Sequence, residues 1–235
     1  MKMVQISPGS GDNFYCENCL RDAALVRAMR ALGHDVLMVP LYLPLQADQS
    51  EPLSNAPIFF GGVNVFLQQK LALFRRTPRW IDQVFDARPL LTWAARKAGM
   101  TNARDLGETT ISMLEGEQGR QVKELDRFVD WLVETEYHPD VVCLSNILLG
   151  GLTRRIKERL GVPVLCLLQD EDGFLDGLTS PYAERAWEIV RQCALQRDAD
   201  VRFHGIGCDE RAAQSYFFLY GEDAVEIERI ALTSE

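Results

Sequence analysis

The chain has 235 residues, of which 47% are hydrophobic and 25% are charged, and this composition is typical of a globular protein with enough length for a buried core. Its formal net charge of −9 argues against general nucleic-acid binding, because neutralising phosphates requires a basic surface. No run of about 18 apolar residues occurs, so the sequence predicts no membrane-spanning helix. The N-terminus leads directly into a predicted strand and lacks a signal-peptide core, so we expect a cytoplasmic protein.

The first 40 residues predict a strand, a glycine-containing loop, a helix and a second, parallel strand. The first strand is the apolar run at residues 3–6, and a helical pattern follows from about 15 to 32. Gly33 is expected to end this helix in a left-handed conformation, and Asp35–Pro40 is the second strand. Residues spaced by about four predict one apolar face of this helix. They are Leu20, Ala24, Val26 or Arg27, Ala28 and Leu32.

The loop between the first strand and the first helix is a candidate substrate-binding segment that contains Gly9, Ser10, Gly11 and Asn13. Bare backbone N–H groups and the positive end of a helix dipole would point at a ligand there, so an anion such as a phosphate would fit. The alternative is a tight connection that needs glycine only to turn. The dinucleotide-binding glycine fingerprint is absent, so both interpretations stay open.

Strands alternating with helices predict an α/β fold, a Rossmann-like doubly wound parallel sheet, that occupies residues 1–235 as a single domain. Apolar runs at Val141–Leu144 and at residues 162–168 predict central parallel strands that are covered on both faces. A weaker strand is expected at 200–203, and the stretch from about 67 to 135 is a mostly helical insertion. The helices predicted beyond the first unit include 105–114, 121–135, 147–160 (capped by Ser145 or Asn146), 181–196 and 209–219.

Polar residues follow the predicted central strands, where ligands of open α/β sheets usually bind. Asn146 follows one strand, and an acidic segment with Gln169, Glu171 and Asp172 follows the next. Carboxylate and amide groups suit sugar hydroxyls, so we predict that these four side chains contact substrate. The alternative is a solvated acidic loop. We identify no catalytic residue.

A basic segment between Lys70 and Lys97 carries seven positive charges against two negative ones, a balance of +5 in a chain of net −9. Aromatic residues are interleaved with these charges. The pattern suits a surface for an anionic acceptor or a peripheral contact with an anionic membrane, centred on Arg75, Arg76, Arg79 and Trp80. The alternative is an amphipathic helical pair whose arginine stems cover the core.

Six cysteines and three histidines offer no complete metal site. Cys143 and Cys166 lie within apolar runs and should behave as small buried hydrophobes. Cys16 and Cys19 form a CxxC pair at a helix start, where a helix dipole lowers a thiol pKa and permits redox chemistry. Structural or incidental cysteines are the favoured interpretation of this pair, with a redox protein as the alternative.

Several segments, in order and spacing over roughly residues 1–200, resemble the acceptor-side domain of retaining GT-B glycosyltransferases of family 4. The resemblance rests on Ile6-Ser-Pro-Gly-Ser-Gly, on Leu32-Gly-His-Asp-Val, on Pro139-Asp-Val-Val-Cys-Leu-Ser and on Gly150 to Val164. This chain departs from the family at Gln169, where the family commonly has a histidine, and in residues 201–208.

The resemblance implies the acceptor-binding half of an enzyme that transfers a sugar from a nucleotide-sugar to an acceptor with retention of configuration. A donor-binding domain, in cis or in trans, would complete the cleft, and we expect that domain and its Glu-x7-Glu motif to be absent from this chain. The chain alone should bind no cofactor, should bind a sugar or glycolipid acceptor, and should be inactive. The alternative is a non-catalytic Rossmann-like binding module or partner subunit.

Overall fold

The computed structural model describes residues 1–9, 17–42, 59–60, 103–135, 137–168, 171–195 and 202–205. Several predictions therefore fall outside the described residues. They concern the helix at 209–219, most of the insertion, and the candidate site residues Ser10, Gly11, Asn13, Gln169, Arg75, Arg76, Arg79 and Trp80.

Five parallel strands form one sheet in the order β2-β1-β3-β4-β5, which confirms an α/β fold with a parallel sheet. Two of the predicted strands have the expected bounds. The fourth strand begins two residues later than predicted, because Pro163 has no N–H to donate to the ladder. The fifth strand begins and ends two residues later than predicted. The strands are β1 (Lys2–Ser7), β2 (Asp35–Pro40), β3 (Val141–Leu144), β4 (Val164–Leu168) and β5 (Arg202–Gly205).

The helices of the described ranges agree with the predicted pattern to within two residues at most ends. A short 3₁₀ helix, Gly116–Gln118, lies between the second and third of them. The α-helices are α1 (Glu17–Ala31), α2 (Ala103–Leu114), α3 (Val122–Glu134), α4 (Thr153–Leu160), α5 (Glu171–Asp176) and α6 (Tyr182–Leu195).

Two helix predictions need correction. The single helix expected at 147–160 is a 3₁₀ helix, Ile147–Leu152, followed by α4, because two adjacent glycines at 150–151 disfavour a continuous α-helix. Asn146 precedes it without a side-chain capping hydrogen bond. Glu171 and Asp172 were expected in a loop, but they form the first turn of α5, where carboxylates complement the positive end of a helix.

Helices cover both faces of the sheet. On one face, Met3 and its neighbours in β2 and β3 pack against Ala23 and Val26 of α1. On the other, Val4 and Ile6 belong to a larger apolar cluster with α3 and α4. Alternating residues of β1 therefore face α1 and the α3–α4 layer in turn.

The buried face of α1 differs from the predicted one. Leu20 and Leu32 are exposed, at 54% and 73%, whereas Cys19, Asp22, Ala23 and Val26 are buried. The predicted face was therefore wrong except at Val26, because a spacing of four starting from Leu20 follows positions 20, 24, 28 and 32, which are exposed. Gly33 ends α1 with a φ of 83°, which confirms the left-handed conformation expected there.

Candidate functional site

The candidate site lies at the carboxyl edge of the sheet, between β1 and β3. The chain passes from β1 to β2 on one side of β1 and returns to β3 on its other side, so the strand order reverses between these two strands. Ligands of open parallel sheets usually bind in the crevice at such a point. Ser7 ends β1 there, and Ser145 follows β3, with its N–H donating to the Ile6 carbonyl oxygen at 2.9 Å.

A cluster of four polar residues, Ser7, Arg21, Asp22 and Ser145, fills the space beneath α1 at this edge. Arg21 donates to Asp22 Oδ1 at 2.9 Å and also to the carbonyl oxygen of Ser145. The side chain of Arg21 is 27% exposed, whereas that of Asp22 is fully buried. We call this group the α1 polar cluster. The α1 polar cluster connects α1 to the ends of β1 and β3, where Ser7 and Ser145 lie 138 residues apart in sequence.

Burial raises the pKa of Asp22, because the charged carboxylate loses its hydration under α1. Ser145, Arg21 and Ser7 partly offset this effect, because each stabilises the carboxylate. Asp22 Oδ2 is buried and has no hydrogen-bond partner within the described part of the chain. The cluster thus holds an acidic group that is more easily protonated than an exposed aspartate.

Two sulfur atoms border the α1 polar cluster. Ser7 Oγ donates to Cys19 Sγ at 3.6 Å, and Cys19 is disulfide-bonded and only 4% exposed. The thiol of Cys143 is free and buried, as predicted, and its pKa is raised to about 12 by burial and by the nearby Asp22. Cys143 is therefore a protonated thiol at neutral pH.

Gln5 lies two residues before Ser7 in β1 and is fully buried on the face of the sheet that α1 covers. It is in register with Met38 of β2 and Cys143 of β3. Neither Nε2 nor Oε1 of its amide has a hydrogen-bond partner in the described ranges. Most buried polar side chains are paired, so this amide is a costly feature of the core.

The structure brings several of the predicted site residues to the same edge. Gly9, two residues after β1, is buried and has a φ of 81°, a conformation that glycine adopts without strain. Asn146 follows β3 and is 4% exposed, and Glu171, at the start of α5 after β4, is also 4% exposed. Because β1, β3 and β4 are adjacent and parallel, these residues and Asp172 lie along one edge.

Sequence patterns did not reveal Arg21 or Asp22 as site residues. Charged residues within an amphipathic helix resemble ordinary solvent-facing residues. A usable signal was the spacing of Cys19, Asp22, Ala23 and Val26, which places all four on one helical face.

No group of three or more histidine, cysteine or acidic side chains is arranged to hold a metal ion among the residues that the structure describes. In the same ranges, no helix is long and apolar enough to cross a bilayer. A narrow space beside Phe60, Met113 and Leu125 admits no water-sized molecule, so it is a packing gap.

Comparisons with protein-family models, curated proteins and solved structures return no match to this chain.

Proposed function

We propose that this chain is the acceptor-binding half of a retaining GT-B glycosyltransferase and that its Rossmann-like sheet holds a sugar or glycolipid acceptor at the carboxyl edge. A nucleotide-sugar donor would be supplied by a second domain, in cis or in trans. The chain alone binds the acceptor and does not turn it over. The sequence resemblance motivates the reaction class, and the geometry of the edge supports the choice of ligand.

The observation that carries the proposal is a row of unpaired oxygen atoms along this edge. Asn18 Oδ1 in the first turn of α1, Asn146 Oδ1 after β3 and Asp172 Oδ1 in α5 are all shielded from solvent, and none has a hydrogen-bond partner in the described ranges. Buried oxygens without partners are costly, and a ligand rich in hydroxyl groups would supply the missing donors. A sugar has that chemistry.

The spacing of the row also suits a sugar. Adjacent strands lie about 4.8 Å apart, so β1, β3 and β4 together span roughly 10 Å, which matches a monosaccharide or a disaccharide. Glu171, buried beside Asp172 at the start of α5, adds a further carboxylate to this part of the edge.

Saturation-transfer NMR on the purified chain, with a panel of mono- and disaccharides, glycolipid headgroups and free nucleotides, tests the proposal. We expect binding of at least one sugar, and Asn146→Ala should weaken it roughly 3- to 10-fold, the equivalent of one lost hydrogen bond. His138→Ala is the control, because His138 is exposed before β3, at the opposite, amino edge.

Each outcome decides between the alternatives. Sugar binding that Asn146→Ala and Asn18→Ala both weaken supports the acceptor role. Binding of nucleotides without sugars would favour a non-catalytic Rossmann-like module instead. Sugar binding that is equally insensitive to Asn146→Ala and His138→Ala, or no sugar binding at all, would overturn the proposed site.

A further inference from the structure

We propose that the acceptor bound at the carboxyl edge of the sheet is an amino sugar, whose protonated amine pairs with the carboxylate of Asp172. This inference rests on the proposed function, because it names the class of acceptor for the same site. It follows from the distribution of charge along the chain and from the kind of polar atom that has no partner at this edge.

The segments that follow the first four strands are acidic and contain no basic residue. Each begins at the carboxyl edge, because β1, β2, β3 and β4 are parallel. The segments are 8–20, 41–69, 145–153 and 169–184, and together they contain nine aspartates or glutamates and no lysine, arginine or histidine. The rest of the chain has 25 acidic and 25 basic residues, so these segments account for the whole net charge of −9. Such a distribution attracts a cationic ligand and repels a phosphate or a carboxylate.

Arg21, the first basic residue after β1, does not reverse this balance. It donates to Asp22 Oδ1 at 2.9 Å and to the carbonyl oxygen of Ser145. The side chain of Asp22 is fully buried, so moving Arg21 away towards a ligand would leave a buried carboxylate without its counter-charge. Arg21 and Asp22 therefore form an internal ion pair that contributes no net charge to the edge.

The unpaired atoms at this edge accept hydrogen bonds. Asn146 Oδ1, after β3, and Asp172 Oδ1, in the first turn of α5, are shielded from solvent and have no hydrogen-bond partner in the described ranges. Asn146 is only 4% exposed, so its oxygen is a fixed feature of the site. A protonated amine offers three donors and no acceptor. Hydroxyl groups can also satisfy these oxygens, but only the amine supplies a positive charge opposite Asp172 as well.

The two oxygens suit different groups of one ligand. Asn146 and Asp172 follow the adjacent strands β3 and β4, which are separated by about 4.8 Å. Two neighbouring substituents of a sugar ring have a comparable separation. The amine would contact the carboxylate of Asp172, and an adjacent hydroxyl would donate to Asn146 Oδ1.

Isothermal titration of the purified chain with glucosamine, N-acetylglucosamine, glucose and glucose 6-phosphate tests the inference. We expect glucosamine to bind about 5- to 10-fold more tightly than glucose, because a hydrogen bond between charged groups is stronger than one between neutral groups. N-acetylglucosamine should lose this gain, because its amide is uncharged. Glucose 6-phosphate should bind most weakly of the four.

Asp172→Asn removes the charge and keeps an oxygen acceptor of similar size. It should reduce the preference for glucosamine over glucose to about 1, because the amine then has no counter-charge. Glu134→Gln is the matched acid-to-amide control, since Glu134 is exposed near the end of α3, where the chain approaches the amino edge. This control should keep the wild-type preference.

The outcomes separate this inference from the proposed function. Equal binding of glucose and glucosamine would leave the sugar site intact and overturn the amino-sugar inference, whereas no binding of any sugar would overturn both. The inference is also wrong if glucose 6-phosphate binds more tightly than glucosamine, if the preference survives Asp172→Asn, or if ethanolamine, an amine without a sugar ring, binds as tightly as glucosamine. The wild-type comparison decides the inference even if Asp172→Asn does not fold.

Discussion

Replacing Gln5 with methionine should stabilise the protein. Gln5 is fully buried in the central strand β1, between Met38 and Cys143, and neither polar atom of its amide has a partner in the described ranges. An unsatisfied buried polar group costs about 1–3 kcal/mol. Methionine has a similar length and volume, and volume-conserving apolar replacements usually cost less than about 1.5 kcal/mol. The expected net gain is therefore about 1 kcal/mol.

Urea unfolding followed by circular dichroism measures this change as a shift in the free energy of unfolding. A gain of 1 kcal/mol corresponds to an increase in Tm of about 2–4 °C for a domain of this size. The m-value should stay constant, because the surface exposed on unfolding hardly changes.

Gln121 provides the matched control. It is also buried, at 2% exposure, but its Oε1 accepts a hydrogen bond from Ser112 Oγ at 2.7 Å. Gln121→Met removes that acceptor and should destabilise the protein by about 1–3 kcal/mol. If Gln5→Met destabilises the protein as much as Gln121→Met does, the Gln5 amide is hydrogen-bonded in solution and the argument is wrong.

Three further predictions concern other parts of the fold. Asp22→Asn should flatten the pH dependence of the unfolding free energy. Because folding raises the pKa of Asp22 above its ordinary value of 3.8, the stabilisation from this group is complete below pH 3.8 and is lost as the pH rises through the folded-state pKa. Each unit of difference between the two pKa values corresponds to about 1.4 kcal/mol. Gly151→Ala should destabilise by about 1–3 kcal/mol in urea unfolding, because a Cβ there would overlap the carbonyl oxygens of Met113 and Leu114. Tyr137→Phe should lower the unfolding free energy by about 1–2 kcal/mol, because the hydroxyl donates to backbone oxygens of β1 and β2.

Each of these three variant predictions has an outcome that would contradict it. A wild-type stability that rises relative to Asp22→Asn between pH 4 and pH 7 would mean that the carboxylate is stabilised by folding. Gly173→Ala is the control for Gly151→Ala, because nothing lies within 4 Å of a Cβ at Gly173; equal effects would exclude the overlap as the cause. An unchanged Tyr137→Phe variant would show that water replaces both hydrogen bonds without loss.

The sheet could be predicted from the sequence because its strands are short apolar runs with clear ends. Asp35–Pro40 and Val141–Leu144 have their predicted bounds. Both are buried along most of their length, so hydrophobicity alone marks them. The strand ends likewise predicted that the polar residues after Val141–Leu144 and β4 would lie at the carboxyl edge of the sheet.

The α1 polar cluster could not be predicted, because it depends on which strands are neighbours. Ser7 and Ser145 meet only because β1 pairs with β3, across more than 130 residues of chain. The sequence also offered no reason to place Asp22 on the buried side of α1, since a charged residue next to an arginine normally faces solvent. Its burial is a consequence of tertiary packing, which overrides the local pattern.

The α1 face of the sheet buries Gln5 and Asp22 with atoms that have no partner in the described ranges. The α3–α4 layer also buries a charged side chain, Glu124, together with Val4, Ile6 and Phe128. An apolar α1 face would be more stable, so stability alone does not explain this composition. The polar groups approach the carboxyl edge, where Cys19 and the β3 end also lie. A gain in stability from Gln5→Met with unchanged sugar binding would identify the buried amide as a tolerated core defect and not as part of the site.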